Sequence, residues 1–331
     1  MDRKLSFRIG LLFYVCLSHY ALGQNLIEHY ETAKKDSIQI GIGNLDFLSF
    51  IPKGYTLSLP ISSNINGTLI FLEGSQYDEK NKTAKLIYEE ANAKGFAVIS
   101  VSTEIPLDFY FTDSSSKIAH EFIKQIFKQY HIPNKNIFLI GVGLSGHRAM
   151  RYQKYLRKNS LNFRPDVKGM IICDAPLDWV RQYNEGARDI RMNYNEGAVW
   201  EGKLTTYLLE QNLKGSPKTN LNDYLEFSAY SYVDTQSRNI DYFKDLVIRT
   251  YAQVAIEYWL EEKLKTPFDN NMSDMVGLIA ELKRIENKRA ELKVIYPQES
   301  KSELKNVFGT WLSVDKKELM EWIISQINKN E

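Results

Sequence analysis

The chain has 331 residues, of which 44% are hydrophobic and 12% aromatic, which is enough for a sizeable packed core. Its 42 Lys and Arg residues nearly cancel its 41 Asp and Glu residues. Because nucleic-acid binding usually depends on a clear basic excess, this balance argues against a nucleic acid as the main partner.

The first 23 residues have the pattern of a secretory signal peptide. A basic start, MDRKLSFR, precedes a short apolar run, IGLLFYVCLSHYA, and the small residues of ALG lie just before Gln24. The run is short for a membrane span of about 20 residues, although an uncleaved membrane anchor is the alternative. Cleavage at this point would give a secreted or periplasmic protein with no stable membrane insertion and with Cys173 as its single cysteine.

The rest of the sequence alternates apolar runs typical of strands with apolar residues at helical spacing. In chain order, the predicted elements are a strand at 67–75, a helix at 83–95, a strand at 96–102, a helix at 115–130, strands at 137–141, 167–176 and 245–251, helices at 252–265 and 272–287, a strand at 290–296 and a helix at 316–328.

Continuous apolar strands that alternate with helices are typical of a parallel sheet covered on both faces. We therefore predict that residues 24–331 form one α/β domain, with a mostly parallel sheet of about eight strands and helices on both faces. Residues from about 180 to 240 interrupt the alternation with polar, tyrosine-rich, mostly helical sequence. We expect them to form a helical cap inserted over the carboxyl edge of the sheet.

The stretch IFLIGVGLSGHRAM, residues 137–150, predicts a strand, a glycine-rich turn and a helix. Hydrolases with a nucleophile elbow have the motif G-x-S-x-G here, and their serine lies on the strained turn. One register places Ser145 at the elbow and His147 where the motif has its last glycine. The other places Gly143 at the elbow and Ser145 at the second glycine. Because the strand ends at Gly141, with one residue left before the turn, the second register fits the elbow geometry better.

From about residue 67 to residue 325, the chain resembles secreted bacterial alpha/beta-hydrolases of the esterase and peptidase type. The similar stretches are IFLIGVGLSGHRAMRY, DAPLDWVRQYN, IRTYAQVAIEYW, NNMSDMVGLIAELKRIENKRAEL and FGTWLSVDKKELMEWI. The resemblance implies a hydrolase scaffold. It also implies that Gly143 stands at the nucleophile position, Gln253 or Ala255 at the acid position and Gly309 at the histidine position. All three triad positions then depart from the family pattern.

The histidines lead to the same conclusion from the residues alone. In this fold the nucleophile, the acid and the histidine follow in that order, so the base must come after the elbow. The five histidines are His19, His29, His120, His131 and His147. The last of them is two residues beyond Ser145, and side chains at that spacing on a helix do not face each other. Without a base in reach, a serine hydroxyl stays a weak nucleophile.

The remaining candidate residues suggest a binding cleft. Cys173 lies in an apolar strand, which favours a buried structural thiol, and no metal or cofactor site is predicted. Asp174 and Asp178 follow the same strand and either line a cleft or cap the next helix. With the turn EGSQYD at the end of the strand predicted at 67–75, and with the start of the elbow helix, they could hold a ligand. The predicted ligand contacts are Gly74, Ser75, Gln76, Leu144, Ser145, Asp174 and Asp178.

These observations predict an exported, catalytically inactive protein that binds an unidentified small molecule or protein. The alternative is an active serine hydrolase that uses Ser145 with an unrecognised base. A structural or assembly protein, the third class, would present a large exposed apolar patch rather than a cleft.

Overall fold

The computed structural model describes residues 25–31, 53–62, 64–74, 82–103, 112–296 and 310–328, so the predicted signal peptide lies outside the described residues. The strands are β1 (Asn25–Tyr30), β2 (Gly54–Leu59), β3 (Gly67–Phe71), β4 (Phe96–Ser102), β5 (Ile137–Val142), β6 (Val167–Cys173), β7 (Val247–Gln253) and β8 (Ala290–Ile295). The α-helices are α1 (Lys82–Ala93), α2 (Asp113–Gln129), α3 (Leu144–Lys158), α4 (Trp179–Met192), α5 (Glu196–Asn212), α6 (Leu221–Phe227), α7 (Ile256–Lys263), α8 (Met272–Arg284) and α9 (Lys316–Asn328).

The eight strands form one sheet in the order β1-β2-β4-β3-β5-β6-β7-β8. The pairs β1–β2 and β2–β4 are antiparallel, and the other pairs are parallel. The predicted α/β class, with a mostly parallel sheet of about eight strands, is therefore confirmed. The sequence did not reveal β1 and β2, because NLIEHY and GYTLSL mix polar with apolar residues and lack the long apolar run of a central strand.

Helices pack on both faces of the sheet, and the central strand β5 shows how. Ile137 and Leu139 point into the core cluster that includes residues of α2, α3 and α8. Phe138 and Ile140 point into the cluster on the other face, with residues of α1 and α9. This alternation is the two-residue period of a strand that is buried on both sides. Within the part of the chain that the structure describes, no helix has the length and apolarity to cross a membrane.

Three predicted strand ends are wrong: the strand predicted at 67–75 ends at Phe71, the strand predicted at 167–176 ends at Cys173, and the strand predicted at 245–251 continues to Gln253. The sequence predicted a helix over 252–265, but β7 continues to Gln253 and α7 begins only at Ile256. The strand runs longer because β8 continues beside it: Ala252 pairs with Val294 and Gln253 pairs with Ile295, whereas the pairing with β6 ends at Tyr251. Pairing with β8 thus overrides the helical spacing of the local sequence.

The helices α4, α5 and α6 lie between β6 and β7, and we call them the cap. They share a hydrophobic cluster of their own that contains Trp179, Leu204, Leu209, Tyr224 and Phe227. Helices α4 and α5 approach each other at two glycines, because a Cβ atom at residue 202 would lie only 2.5 Å from the carbonyl oxygen of residue 186.

A buried ion pair ties the cap to the sheet domain. Arg181, in the first turn of α4, donates from Nε and Nη2 to the two oxygens of Asp274 in α8, at 2.6 and 2.8 Å. Asp274 is 1% exposed, and its Oδ2 atom also accepts the backbone N–H groups of Leu177 and Asp178. Burial opposes the charge on the guanidinium, but the carboxylate of Asp274 offsets this and raises the pKa of Arg181. One carboxylate therefore joins the loop after β6, the cap and α8.

Asp178 fixes the start of α4. Its Oδ1 atom accepts the backbone N–H groups of Val180 and Arg181 at 3.0 and 3.1 Å, which is an N-cap. The same carboxylate accepts hydrogen bonds from the Ser231 hydroxyl and the Tyr232 backbone, in the segment that leads out of the cap. Both ends of the cap are thus held at one point.

Replacing Asp274 with alanine should lower the free energy of unfolding by about 3 kcal/mol, measured by urea denaturation. This lies at the low end of the range for breaking a buried ion pair, because Glu185 stays 3.0 Å from Arg181. The control is Glu121→Ala, which breaks an exposed pair with Lys124 and should change stability by less than about 1 kcal/mol. Equal unfolding midpoints for Asp274→Ala and the parent protein would contradict the anchoring role.

Candidate functional site

Gly143 lies at the sharp turn between β5 and α3. Its backbone has φ +57° and ψ −129°, a conformation that costs a residue with a side chain about 1–3 kcal/mol. Its N–H group donates to the carbonyl oxygen of Cys173 at 2.9 Å, which fixes the turn beside the end of β6. A Cβ atom built on Gly143 meets no atom of the described residues within 4 Å. A strand, one residue with positive φ and a helix form the sharp turn that is typical of a nucleophile elbow, and here that residue is a glycine.

Two neighbouring glycines allow the elbow to be this tight. A Cβ atom at Gly141 would lie 2.3 Å from the Cα atom of Gly146, in the first turn of α3. A Cβ atom at Gly146 would lie 2.5 Å from the Cβ atom of Ala175, in the loop after β6. Strand, helix and loop therefore touch through backbone, and any larger residue at Gly141 or Gly146 would push them apart.

Ser145 lies inside the first turn of α3 and is 2% exposed. Its hydroxyl accepts the N–H group of Val142 at 2.7 Å and donates to the carbonyl oxygen of Val142 at 2.9 Å. Both interactions direct the hydroxyl towards the strand. Ser145 was predicted as a ligand contact and as the alternative nucleophile. Its side chain instead stabilises the backbone of the turn, and it does not line the cavity that lies in front of Gly143.

A cavity of about 620 Å³ lies in front of the elbow, within the size range of small-molecule sites. Gly143, Leu144, Asp174 and Pro176 form the wall at the carboxyl end of the strands. The cap, α7 and the segment before α8 form the rest, with the side chains of Trp179, Gln182, Glu185, Tyr194, Asn195, Trp200, Glu201, Trp259, Lys263, Lys265, Asp269, Asn270 and Asn271 among others. Binding sites in open α/β sheets are expected at this edge.

Asp174 is a half-buried carboxyl at the carboxyl edge of the sheet, in the same cavity wall as Gly143. It follows β6 directly and has φ +48°, an uncommon value for a residue with a side chain. Its backbone N–H donates to Tyr251, and its Oδ2 atom accepts a hydrogen bond from the Thr310 hydroxyl at 3.1 Å. Burial raises the pKa of Asp174, and the hydrogen bond from Thr310 and the charge of Arg181 oppose the rise. A strained, half-buried acid in a cavity wall is a candidate binding residue.

The other charged groups at the cavity floor are paired with one another. Glu185 accepts hydrogen bonds from Lys265 at 2.5 Å and from Arg181 at 3.0 Å. Lys265 also lies 3.3 Å from Asp189. Burial raises the pKa of Glu185, and the charge of Lys265 opposes this rise. Asp269, in the same wall, is 3.4 Å from an Arg188 nitrogen, so each of these charged groups has a partner of opposite charge within the protein.

The two positions that the resemblance assigns to the acid carry no carboxylate. Gln253 ends β7, and its amide nitrogen is buried without a hydrogen-bond partner. Ala255 is the N-terminal cap position of α7 and makes no side-chain hydrogen bond. Gly309, at the predicted histidine position, lies outside the described residues, as do Ser75 and Gln76.

His147 is the histidine closest to the elbow along the chain, but it belongs to the core of the cap. It is fully buried, and its Nδ1 atom accepts a hydrogen bond from the Trp179 indole at 2.9 Å. The rings of Trp179 and Phe227 pack against it, with centroids 4.7 and 4.8 Å away. Burial lowers the pKa of His147 well below its usual value, so its ring is a neutral acceptor. Of the histidines that the structure describes, none lines the cavity.

Asp178, Leu144 and Gly74 complete the predicted ligand contacts. Leu144 does line the cavity. Asp178 does not, because its carboxylate caps α4; it lines a second cavity of about 580 Å³ beside Tyr232. Gly74, after β3, is exposed and is absent from the described cavity wall. The proposed pocket therefore contains the elbow and Asp174 but not Asp178.

Sequence reasoning missed the aromatic part of the wall. Tyr194 lies between α4 and α5, Trp200 lies in α5, and Trp259 lies in α7; all three side chains are half-buried. They are up to 65 residues apart in the sequence and share no motif. They line one cavity only because the cap and α7 both lie beside it in the folded protein.

The neutral state of His147 predicts a specific pH dependence. The folded protein excludes a proton at this ring, whereas the unfolded chain takes it up below its ordinary pKa of 6.5. Stability should therefore fall as the pH falls below that value, by about 1.4 kcal/mol per pH unit from this one group. In His147→Gln the decline between pH 6.5 and about pH 5 should be shallower by that amount, measured by urea unfolding at each pH. The exposed His131→Gln variant is the matched control, and parallel curves for His147→Gln and the parent would contradict a buried neutral ring.

Comparisons with known proteins identify the fold. No family model and no curated protein matches this sequence. Among solved structures, it is similar to an acylaminoacyl peptidase of Pyrococcus horikoshii, with 12% identity and a TM-score of 0.52 over 95% of this chain and 44% of that one. It is also similar to carboxyl esterase 2 of the fungus Tuber melanosporum, with 11% identity and a TM-score of 0.53 over 94% of this chain and 87% of that one. An esterase of Pyrobaculum calidifontis gives 10% identity and a TM-score of 0.50 over 100% of this chain and 92% of that one.

The chain spans less than half of the peptidase and most of both esterases. At this level of identity the likeness shows the architecture, and the protein has the alpha/beta-hydrolase fold.

Proposed function

We propose that this protein is an exported, non-hydrolysing member of the alpha/beta-hydrolase fold that acts by binding a ligand in the cavity beneath its cap. The observation that carries the proposal is Gly143. It has the strained backbone of an elbow, faces the cavity and has no side chain to act as a nucleophile. The similar esterases and peptidase support the fold of this chain, and their activities are not assigned to it.

The general base is missing as well as the nucleophile. No histidine follows His147 in the sequence, although this fold requires the base after the elbow. The neutral ring of His147 is held by Trp179 in the cap core. Gln253 and Ala255 supply no carboxylate at the positions that the resemblance assigns to the acid. An ordinary acyl-transfer mechanism needs all three groups in mutual contact.

Glycine at the elbow is the expected outcome when the hydroxyl has no task. A serine there would hold the same positive φ at a cost of about 1–3 kcal/mol, and glycine avoids most of it. Gly141 and Gly146, which bring β5 and α3 into contact, keep the turn tight. The fold and the cavity thus persist without the chemistry.

The cavity supports binding as the remaining role. Its wall combines half-buried aromatic side chains with amide and carboxyl groups, and its volume of about 620 Å³ suits a small molecule or a short chain segment. Ser145 does not offer an alternative nucleophile, because both hydrogen bonds of its hydroxyl go to Val142.

The purified protein should not react with a fluorophosphonate probe and should not hydrolyse generic esters. Loss of a triad lowers rates by several orders of magnitude, and restoring one member recovers little because the members act as a unit. Gly143→Ser should therefore stay unlabelled too, measured by gel fluorescence beside an authentic serine hydrolase in the same tube. Circular dichroism on each sample would show that the protein is folded.

A labelled parent protein whose label disappears in Ser145→Ala would overturn the proposal and establish the hydrolase alternative. The triple variant Gly143→Ser, Gln253→Asp and Gly309→His tests the register from the other direction. If these three positions are the former triad, this variant is the one expected to gain labelling.

Export is part of the proposal and has its own test. Protein recovered outside the cytoplasm should begin at or near Gln24, as measured by intact-protein mass spectrometry, because residues 1–23 have the basic, apolar and small-residue order of a signal peptide. Gly23→Phe puts a large residue at the predicted cleavage site and should slow processing. An intact Met1 in the membrane fraction would show that the segment is an anchor.

A further inference from the structure

We propose that the cavity beneath the cap binds a neutral carbohydrate, with Tyr194, Trp200 and Trp259 as the surfaces on which sugar rings stack. This inference rests on the proposed binding function and names its ligand class. It depends on three features of the cavity wall: its aromatic rings, the polar groups between them and the pairing of its charges.

The aromatic rings come from three separate elements and all face the same space. Tyr194 lies in the α4–α5 connection, Trp200 in the first half of α5, and Trp259 in α7. Each of the three residues lines the cavity and is neither fully buried nor fully exposed. A sugar ring has one or two faces of C–H groups that pack on an aromatic ring, while its hydroxyl groups point sideways. Amphipathic Trp and Tyr side chains suit such a ligand, because one surface offers apolar contact beside polar groups.

Aliphatic side chains are few in this wall. Leu144, Pro176 and Ala198 are the aliphatic contributors among the described lining residues, and they lie near the elbow and the start of α5. An acyl chain would be expected in a wall dominated by such side chains. The composition here instead favours a ligand that alternates C–H faces with hydrogen-bonding groups.

Polar groups lie between the rings. Asp174 has Thr310 as the donor to its Oδ2 atom, and no described side chain donates to its Oδ1 atom. Gln182, in α4, and Asn271, before α8, line the same cavity. Burial raises the pKa of Asp174, because its carboxyl group is poorly solvated. A hydrogen bond from a ligand hydroxyl to this group would replace part of the lost hydration and so favour binding.

The charges at the floor argue for a ligand without charge. Glu185 is paired with Lys265 and Arg181, and Asp269 is paired with Arg188. Two further charged residues line the cavity, Glu201 and Lys263, and they carry opposite charges. A charged ligand would have to compete with these internal partners, and the partner it displaced would be left buried without its counter-charge. A neutral ligand needs no such rearrangement.

The test uses the folded chain from Gln24 onward and a panel of neutral oligosaccharides: maltohexaose, cellohexaose, mannohexaose, xylohexaose and chitohexaose. Binding is measured by isothermal titration calorimetry and tryptophan fluorescence at up to about 10 mM sugar, which covers weak millimolar sites. At least one of these sugars should bind and change the fluorescence. Trp200→Ala and Trp259→Ala should each weaken that binding about tenfold or more, and Trp259→Phe should keep most of it because the stacking surface remains.

Matched tyrosine variants separate the cavity from the rest of the surface. Tyr194→Ala removes a ring of the cavity wall, whereas Tyr232→Ala removes a ring that is 84% exposed and lies at the second cavity. Only the first should weaken sugar binding. Unfolding midpoints measured for every variant would show that a lost signal is not lost structure.

A cysteine at the elbow locates the ligand. Gly143→Cys would project a thiol into the cavity, where a fluorescent maleimide can reach it, while Cys173 is fully buried and its raised pKa keeps its thiol unreactive. A bound oligosaccharide should slow this alkylation about tenfold at saturation.

Each outcome decides the matter. No binding by any sugar of the panel, or binding that the two tryptophan variants leave unchanged, would overturn the carbohydrate inference. If decanoate or a neutral tetrapeptide then protected Gly143→Cys, the proposed binding function would stand with a different ligand class. If none of these probes protected the thiol, the binding function would fall as well. The absence of hydrolysis is judged separately by the fluorophosphonate assay.

Discussion

The close approach of β5 and α3 is the constraint on which the rest of the site depends. Gly141 and Gly146 leave no room for a Cβ atom between strand, helix and the loop after β6, so the chain must reverse within one residue. That residue, Gly143, takes a positive φ and faces the cavity. The hydrogen bond from Gly143 to Cys173 then places the end of β6, and with it Asp174, beside the elbow. Backbone contacts therefore position the cavity wall at the carboxyl end of the strands, and they do not depend on a side chain at the elbow.

The cap depends on a second constraint, the ion pair of Arg181 with Asp274. A buried pair of this kind contributes little net stability compared with apolar packing, but its geometry is strict because one carboxylate serves two side-chain donors and two backbone donors. It fixes the first turn of α4 over the sheet edge. Arg181 also contacts Glu185, which in turn pairs with Lys265, so these charged groups of the cavity wall have partners within the protein.

These two constraints do not depend on a catalytic mechanism, which is consistent with the binding function proposed above. The elbow is held by glycine contacts and the cap by an anchored helix, and neither involves a catalytic group. Chemistry can be lost while the cavity remains, because fold and function are carried by different residues. The aromatic and amide groups of the wall come from the cap and from α7, and they can define a ligand independently of the elbow.

The sequence by itself determined the α/β architecture, the tight turn at 141–146 and the absence of any histidine beyond His147. These follow from local patterns: long apolar runs, glycines at fixed spacing and residue order. It did not determine the end of β7 or the start of α7, since pairing with β8 extends the strand against its helical local pattern. Nor did it separate Asp174 from Asp178, four residues apart, of which one faces the cavity and the other caps α4. Only the tertiary structure brought Tyr194, Trp200 and Trp259 to one wall, because their proximity arises from the fold of the cap over the sheet, and no local spacing encodes it.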